Sequence, residues 1–340
     1  MNKFLLILLL ALIPCVVFVG CDLINTQDKE EEVIDDGDGD GEDNSDDDTG
    51  DDGDSGDDND DGSNGDDGDD GEGEDVDAHT LNVMTFNIRG DKAVDGVNQW
   101  EYRKDRVADL IIKYEPAILG LQEARPPQLA DLESRLYDYK TIGGGSRAGE
   151  YTVILYNTSM VEYIDSTWDF IWLSETPYQQ SVGWDAKHVR ILIYAQFRDL
   201  ETGDTIYAFN THYDHVGSEA REKSASLTLN TIADVSGDDP VILMGDFNHT
   251  EDERPYSIFT SSTSGLKNAY YESETSHSGP ETRSSGFSVA NHSNKKPIDF
   301  IFINDQIRVK SHAFIDDSHN GYYPSDHMPV MAEIEIISED

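Results

Sequence analysis

The chain has 340 residues, of which 70 are Asp or Glu and 24 are Lys or Arg, for a net charge of −46 at neutral pH. The excess is uneven: residues 22–77 hold 29 acidic side chains against one lysine, and residues 78–340 hold 41 against 22 basic ones. This balance disfavours a long basic groove for duplex nucleic acid, whose binding rests on neutralising phosphates, and two cysteines confined to positions 15 and 21 exclude a disulfide framework.

Residues 1–21 read MNKFLLILLLALIPCVVFVGC. Lys3 and the apolar run from Phe4 to Val19, interrupted by Pro14, fit an export signal. The run is short for a spanning helix, which needs roughly 20 apolar residues. The closing VFVGC resembles a bacterial lipobox. The resemblance implies cleavage before Cys21 and lipid on its sulfur, so that the protein is exported and anchored to a bacterial membrane, facing the periplasm or the cell exterior. An uncleaved signal anchor is the alternative. Residues 22–77 are almost entirely Asp, Gly, Glu, Ser and Asn. They offer too little apolar surface to offset the entropy of folding and are expected to be a disordered linker. Such a segment spans on the order of 40 Å. The stretch DGDGDG at 36–41 imitates the start of a calcium loop, but Asp43 and the missing closing Glu favour a charged spacer.

Residues 78–340 read as one domain. TLNVMTFNI (80–88) alternates and predicts a strand with one well-buried face. EYRKDRVADLIIKYEP (101–116) places Val107, Leu110, Ile111 and Tyr114 at helical spacing and stops at Pro116. On that helix Arg103 and Arg106 are expected to be solvated or paired along the helix. AILGLQE is a short buried strand, and PPQLADLESRLYDY restarts as a helix behind its prolines. YTVILYNT, VRILIYAQFRD, TIYAFNTHYD, VILMGDFN, IDFIFIN and VMAEIEII are further strands, rich in β-branched and aromatic residues. A helix over 218–235 separates two of them. Many strands with interspersed helices predict two packed sheets with helices outside. GGGSRAG (143–149) reads as a flexible loop. Trp168, Trp172 and Trp184 are expected to pack in the core or at its rim, with base stacking as the alternative.

Buried strands repeatedly end on residue types that bind metal or phosphate: Asn87, Glu123, His212, Asp246 with Asn248, Asp299, and Asp326 with His327. One such ending is a turn. Six predict convergence on one pocket at the ends of the sheets. In VILMGDFN, alternation sends Asp246 and Asn248 to one side and Phe247 to the other, while Gly245 permits a close backbone approach.

MTFNIRG, LGLQE, NTHYDH, GDFN, IDFIF and SDHMPV occur in an order and spacing that resembles the endonuclease/exonuclease/phosphatase superfamily, over residues 80–338. One departure stands at Pro116-Ala117, where that family commonly reads Pro-Asp. The resemblance implies an α/β fold, a four-layer αββα sandwich of two mostly antiparallel sheets. It also implies an Mg²⁺ (or Mn²⁺) site and in-line attack of water on a phosphoester. On this resemblance Glu123 is the main metal ligand, Asn87 its neighbour, and Asp326 a contact to that metal or a second one. Asp246 orients or deprotonates the water, and Asn248 holds the water or the phosphate. His212 and His327 contact phosphate oxygens, paired with Glu150 of GEY and Asp299 of IDF. Arg190 falls where the family often places a phosphate-binding arginine, with Arg125 as a second candidate and plain surface charge as the alternative for both.

The implied activity is hydrolysis of a phosphodiester, nuclease-like, by a monomer. The alternatives are a phosphatase acting on a small organophosphate or nucleotide, and a catalytically silent surface-binding lipoprotein. A cation-buffering role of the acidic segment is a third. A purely binding descendant has no physical need for a complete set of polar stations, which speaks against silence.

Overall fold

In the computed structural model, residues 79–337 are described, apart from 93, 144–150, 283–285 and 291–294. The export signal, Cys21, the acidic linker, Glu150 and the GGGSRAG loop beyond Gly143 lie outside the described residues. In chain order the first half comprises β1 (Leu81–Asn87), α1 (Trp100–Tyr114), β2 (Ile118–Gln122), α2 (Pro126–Glu133), β3 (Tyr139–Gly143) and β4 (Val153–Asn157). Then come β5 (Val161–Tyr163), β6 (Asp169–Trp172), β7 (Ile191–Asp199), β8 (Thr205–His212), α3 (Ser218–Ser236) and β9 (Val241–Asp246). The chain closes with α4 (Arg254–Phe259), β10 (Lys267–Asn268), α5 (Ala269–Glu272), β11 (Asp299–Ile303), β12 (Ile307–Phe314) and β13 (Val330–Ile336).

The strands form two mixed sheets. One runs β12-β13-β1-β2-β4-β3, and the other runs β10-β11-β9-β8-β7-β5 with β6 on β7. Each has a single parallel pair at its centre, β1 with β2 and β8 with β9, and the remaining pairs are antiparallel. A parallel pair needs a crossover, and α1 and α3 supply the two. Val83, Ile118, Ile154, Ile193, Ile242 and Met244 fill the space between the sheets. Met84, Phe86 and Leu119 face α1 and α2 on the outside of the first sheet, and Phe209, Leu243 and Phe302 face α3 and α4 on the outside of the second. The result is the expected αββα sandwich.

The layering corrects three expectations. β1 is buried on both faces rather than one, because a central strand of a sandwiched sheet meets the facing sheet on one side and helices on the other. The second helix stops at Glu133, and Tyr139 already pairs with Asn157 as the start of β3. Arg103 is not solvated: its guanidinium is fully buried, with its charge over the rings of Trp100 and Phe287.

A polar seam ties the sheets together close to the rim. Gln122 Nε2 donates to Thr85 Oγ1 at 3.0 Å and to Asn210 Oδ1 at 2.7 Å, and Asn210 Nδ2 donates to the Leu121 and Val153 carbonyls. A Cβ on Gly120 would fall 2.8 Å from Asn210 Oδ1, so the seam requires glycine there.

Two buried histidines make the fold sensitive to acid. Burial pushes His312 of β12 down to about 3, with His277 adding to it, and pushes His249 down to about 4. Both folded values lie below the unfolded one, so the stability from keeping them neutral is complete above about pH 6.5 and is lost as pH falls. Each is expected to cost up to about 1.4 kcal/mol per pH unit in that window. Melting temperature measured from pH 7 down to pH 4 should fall steadily, and His312→Gln should flatten the slope. An unchanged slope in that variant would remove His312 from the account.

Candidate active site

The strand pairings bring the polar stations to one rim. Asn87 is the last residue of β1 and lies level with Gln122, the last of β2. His212, the last residue of β8, pairs with Asp246, the last of β9, and Asp246 pairs in turn with Asp299 of β11. Asp299 therefore starts its strand instead of ending it, and Asp326 and His327 precede β13. Antiparallel neighbours reach the same rim from the opposite chain direction.

Asp246 is the hub. Its Oδ2 accepts from Asn87 Nδ2 at 2.9 Å and lies 3.6 Å from His212 Nε2 and 3.8 Å from His327 Nε2. Its Oδ1 accepts the Asn248 backbone N–H at 3.0 Å. Asn248 sits beyond β9 with φ 50°, so the turn, not strand alternation, brings its side chain to the cavity, while Phe247 is fully buried as expected. The Asn248 Nδ2 donates to the Tyr213 carbonyl at 2.9 Å. Gly245 does allow a close approach: a Cβ there would meet the Thr211 carbonyl at 2.3 Å.

Behind the hub, His327 Nδ1 and Asp299 Oδ2 are 2.8 Å apart. Burial works against a charge on His327, but Asp299 and Asp246 outweigh it and hold the imidazole well above its ordinary pKa. Burial lifts Asp299 to about 6 against the opposing charge of His327. At neutral pH the pair is an imidazolium beside a carboxylate.

Across the rim, Glu123 takes φ 59° immediately after β2. Its Oε2 accepts the Gly90 N–H at 2.8 Å and its Oε1 accepts Asn87 Nδ2 at 3.2 Å. Burial would raise this carboxyl, yet His212, these two hydrogen bonds and Arg89 bring it down to about 2. It is an ionised, oriented, hard-oxygen donor in the cavity wall.

The cavity above these groups has a volume of about 710 Å³. Glu123, His212, Asp246, Asn248 and His327 line it together with Arg125 and Arg190. Asn87 and Asp299 stand directly behind that wall through the bonds just given. Asp326 is placed differently: its carboxylate faces Arg89 at 3.6 Å, and it is not among the lining residues. Arg125 is stacked on Tyr151 and paired with Asp91 at 2.7 Å. The Arg190 guanidinium lies 3.8 Å from the buried Asp214. Of the tryptophans, Trp172 is buried beside Ile191 and Val189, and Trp168 is exposed.

Arg89, Lys92, Tyr151, His188 and His215 also line the cavity and were not singled out in the sequence. Arg89, His188 and His215 fall within the stretches NIRG, AKHVR and NTHYDH, so proximity to a recognised station was the available signal. Arg103 carried a different signal. Trp100, Arg103, Val107 and Leu110 share one helical face, and that face is buried.

The chemistry of the donors decides which residues suit a divalent ion. Asp246, Asp299 and His327 bring one ligand atom each within 4.8 Å of one another. A protonated imidazole has no lone pair to give, so this trio suits proton handling. Mg²⁺ and Mn²⁺ prefer carboxylate and carboxamide oxygen; the Glu123 carboxylate fits that preference, while Asn87 turns its Nδ2 to Glu123 and Asp246 and its Oδ1 to the Arg89 N–H, and so orients the carboxylate.

A rim of this composition defines a site for hydrolysing esters of phosphate. Residues 84–327 match the Endonuclease/Exonuclease/phosphatase family. An endonuclease/exonuclease/phosphatase structure from Bacteroides vulgatus is 36% identical, with a TM-score of 0.71 over 76% of this chain and 99% of that one. The mannosyl-6-phosphatase of Bacteroides thetaiotaomicron is 30% identical, with a TM-score of 0.70 over 75% of this chain and 99% of its own. An uncharacterised protein of Acanthamoeba polyphaga mimivirus is 31% identical over 169 residues, which span 46% of this chain and 62% of that relative. The chain belongs to the endonuclease/exonuclease/phosphatase family, a group of hydrolases that act on phosphoester bonds and generally depend on a divalent metal.

Proposed function

We propose that the protein is a divalent-metal-dependent phosphoesterase that releases phosphate from a small organophosphate. The observation that carries this reading is the confinement of Arg89, Lys92, Arg125 and Arg190 to one compact cavity, on a domain with 41 acidic against 22 basic residues. A single phosphoryl group finds cations there, whereas a long polyanion would meet repulsion around it. The likeness to a mannosyl-6-phosphatase supports a small phosphate ester over the nuclease-like diester.

Glu123, oriented by the Asn87 amide, would hold Mg²⁺ or Mn²⁺, which would supply Lewis-acid polarisation of a phosphoryl oxygen. Asp246 accepts a hydrogen bond from the attacking water and draws off its proton. Asn248, whose Nδ2 is donated to the Tyr213 carbonyl, offers Oδ1 to the same water. His327 keeps its proton because Asp299 and Asp246 stabilise the charge, and its Nε2 donates to a non-bridging phosphoryl oxygen. His212 donates from the other side of Asp246, with Glu150 as its proposed partner. Arg190 and Arg125 steer the phosphate to the cavity.

The test is release of phosphate from a panel of sugar phosphates, nucleotides, nitrophenyl phosphate and diester, and single- and double-stranded DNA, with Mg²⁺ or Mn²⁺. Small monoesters should turn over best, and a chelator should lower the rate by at least about 100-fold, reversibly on adding Mn²⁺. DNA as the preferred substrate, or indifference to chelator, would overturn the proposal. From the lipobox resemblance of VFVGC we also propose that lipid at Cys21 anchors the protein to a bacterial membrane, with residues 22–77 as the tether. Cys21→Ser should then move the protein from the membrane to the soluble fraction of its host.

A further inference from the structure

We infer that the stacked pair His188 and His215 forms a leaving-group subsite that takes the hydroxyls of an uncharged sugar or polyol ester-linked to the phosphate. The inference rests on the small-organophosphate reading of the same cavity. Both imidazoles line that cavity, exposed at its mouth, with ring centroids 5.4 Å apart and planes 25° apart.

The pair is held in place from below. The His188 backbone N–H donates to Asp214 Oδ2 at 2.9 Å, and the other oxygen of Asp214 accepts the N–H groups of Val216 and Gly217 at 3.0 and 2.8 Å. Asp214 is buried, and Arg221 Nη1 donates to its carbonyl at 3.1 Å. Three residues before His188, Asp185 reaches the start of α3 and accepts the N–H groups of Ala220 and Glu219 at 2.6 and 3.2 Å. The two segments are so close that a Cβ on Gly217 would lie 2.6 Å from Asp185 Oδ1. One buried aspartate and one helix-capping aspartate thus clamp both histidine-bearing loops, and a subsite fixed in advance loses little entropy on binding.

The charges choose the leaving group. Each guanidinium of the cavity already has a carboxylate beside it: Arg89 has Asp95 and Asp326, Arg125 has Asp91, and Arg190 has Asp214. Among the described residues those carboxylates offset much of the cationic charge, so the cavity suits one phosphoryl group and not a second anion on the leaving group. Burial and the neighbouring Arg190 keep His215 below its ordinary pKa. A neutral imidazole offers one donor and one acceptor, the complement of a hydroxyl. The ring of Tyr151 is covered by Arg125 at 4.6 Å, which leaves it little surface on which a base could stack.

The test measures dissociation constants of a hexose 6-phosphate and of phenyl phosphate by calorimetry in chelator, where hydrolysis does not intervene. His188→Ala and His215→Ala should each shift the ratio of the two constants against the sugar ester by about tenfold, the scale of a lost hydrogen-bond set. His215→Asn, which keeps a donor and an acceptor, should restore most of the ratio. An unchanged ratio in both alanine variants, or failure of the sugar ester to bind where phenyl phosphate binds, would overturn the subsite. Phosphate release by the metal-loaded protein is scored separately. Turnover with an unchanged ratio removes the subsite and leaves the phosphoesterase, and sugar binding without turnover does the reverse.

Discussion

Asp246→Asn is expected to lower kcat by about 10³-fold, with a melting loss of only a few degrees from one buried hydrogen bond. Asparagine keeps the volume of the buried side chain, but its one carbonyl can replace only one of the two oxygens that now accept separately from Asn87 and from the Asn248 N–H. What it loses is the negative charge between His212 and His327. Without that charge the attacking water has no base, and His327 loses one of the two carboxylates that hold its proton. Both losses act on the transition state, so kcat should fall with little change in KM. Steady-state kinetics with nitrophenyl phosphate and a thermal melt test this together. A kcat within tenfold of the unmodified value would remove Asp246 from the proton-transfer role.

Arg103→Met is expected to destabilise the domain by about 3–5 kcal/mol, the scale for removing one partner from a buried charged network. The guanidinium donates to the carbonyls of Asn98, Ile88, Arg89 and Pro324. Burial draws it down to about 10, which still leaves it cationic at neutral pH. Methionine fills the space but leaves four carbonyls without that donor. The bonds also join two segments of the active rim: Ile88 and Arg89 lead to the Gly90 N–H on Glu123, and Pro324 leads to His327. The melting temperature should therefore drop by roughly 10 °C, and kcat/KM measured below the melt should drop as well. Arg103→Lys should recover less than half of either loss, since an ammonium lacks the planar fork. Wild-type kinetics in Arg103→Met at low temperature would reduce the residue to a purely structural one.

The parts of the site legible in the sequence share a physical cause. Asn87, Glu123, His212, Asp246 and His327 interrupt apolar runs with residues that cannot be buried without partners, so each stands out as an anomaly. Strand β12 escaped notice because its alternation changes phase: a register shift between Val309 and Ser311 breaks the period on which such reading depends. Asp214 escaped because its partners are backbone N–H groups, including one 26 residues upstream at His188, which leave no mark on the side-chain pattern. Arg103 escaped for the opposite reason. It lies on the apolar face of α1, where a charge by itself points to solvent, and its partners are carbonyls brought in by tertiary structure.

The hydrogen bond from Asn87 to Asp246 joins residues 159 positions apart, one at the end of each sheet's parallel pair. Neither sheet can assemble the hub by itself, and the Arg103 bond to Pro324 closes a loop of 221 residues. Closing such loops comes late and slowly in a chain dominated by non-local pairings. Recovery of turnover after dilution from denaturant should therefore lag recovery of secondary structure, and a fragment ending before β9, which lacks Asp246 and His327, should be inactive.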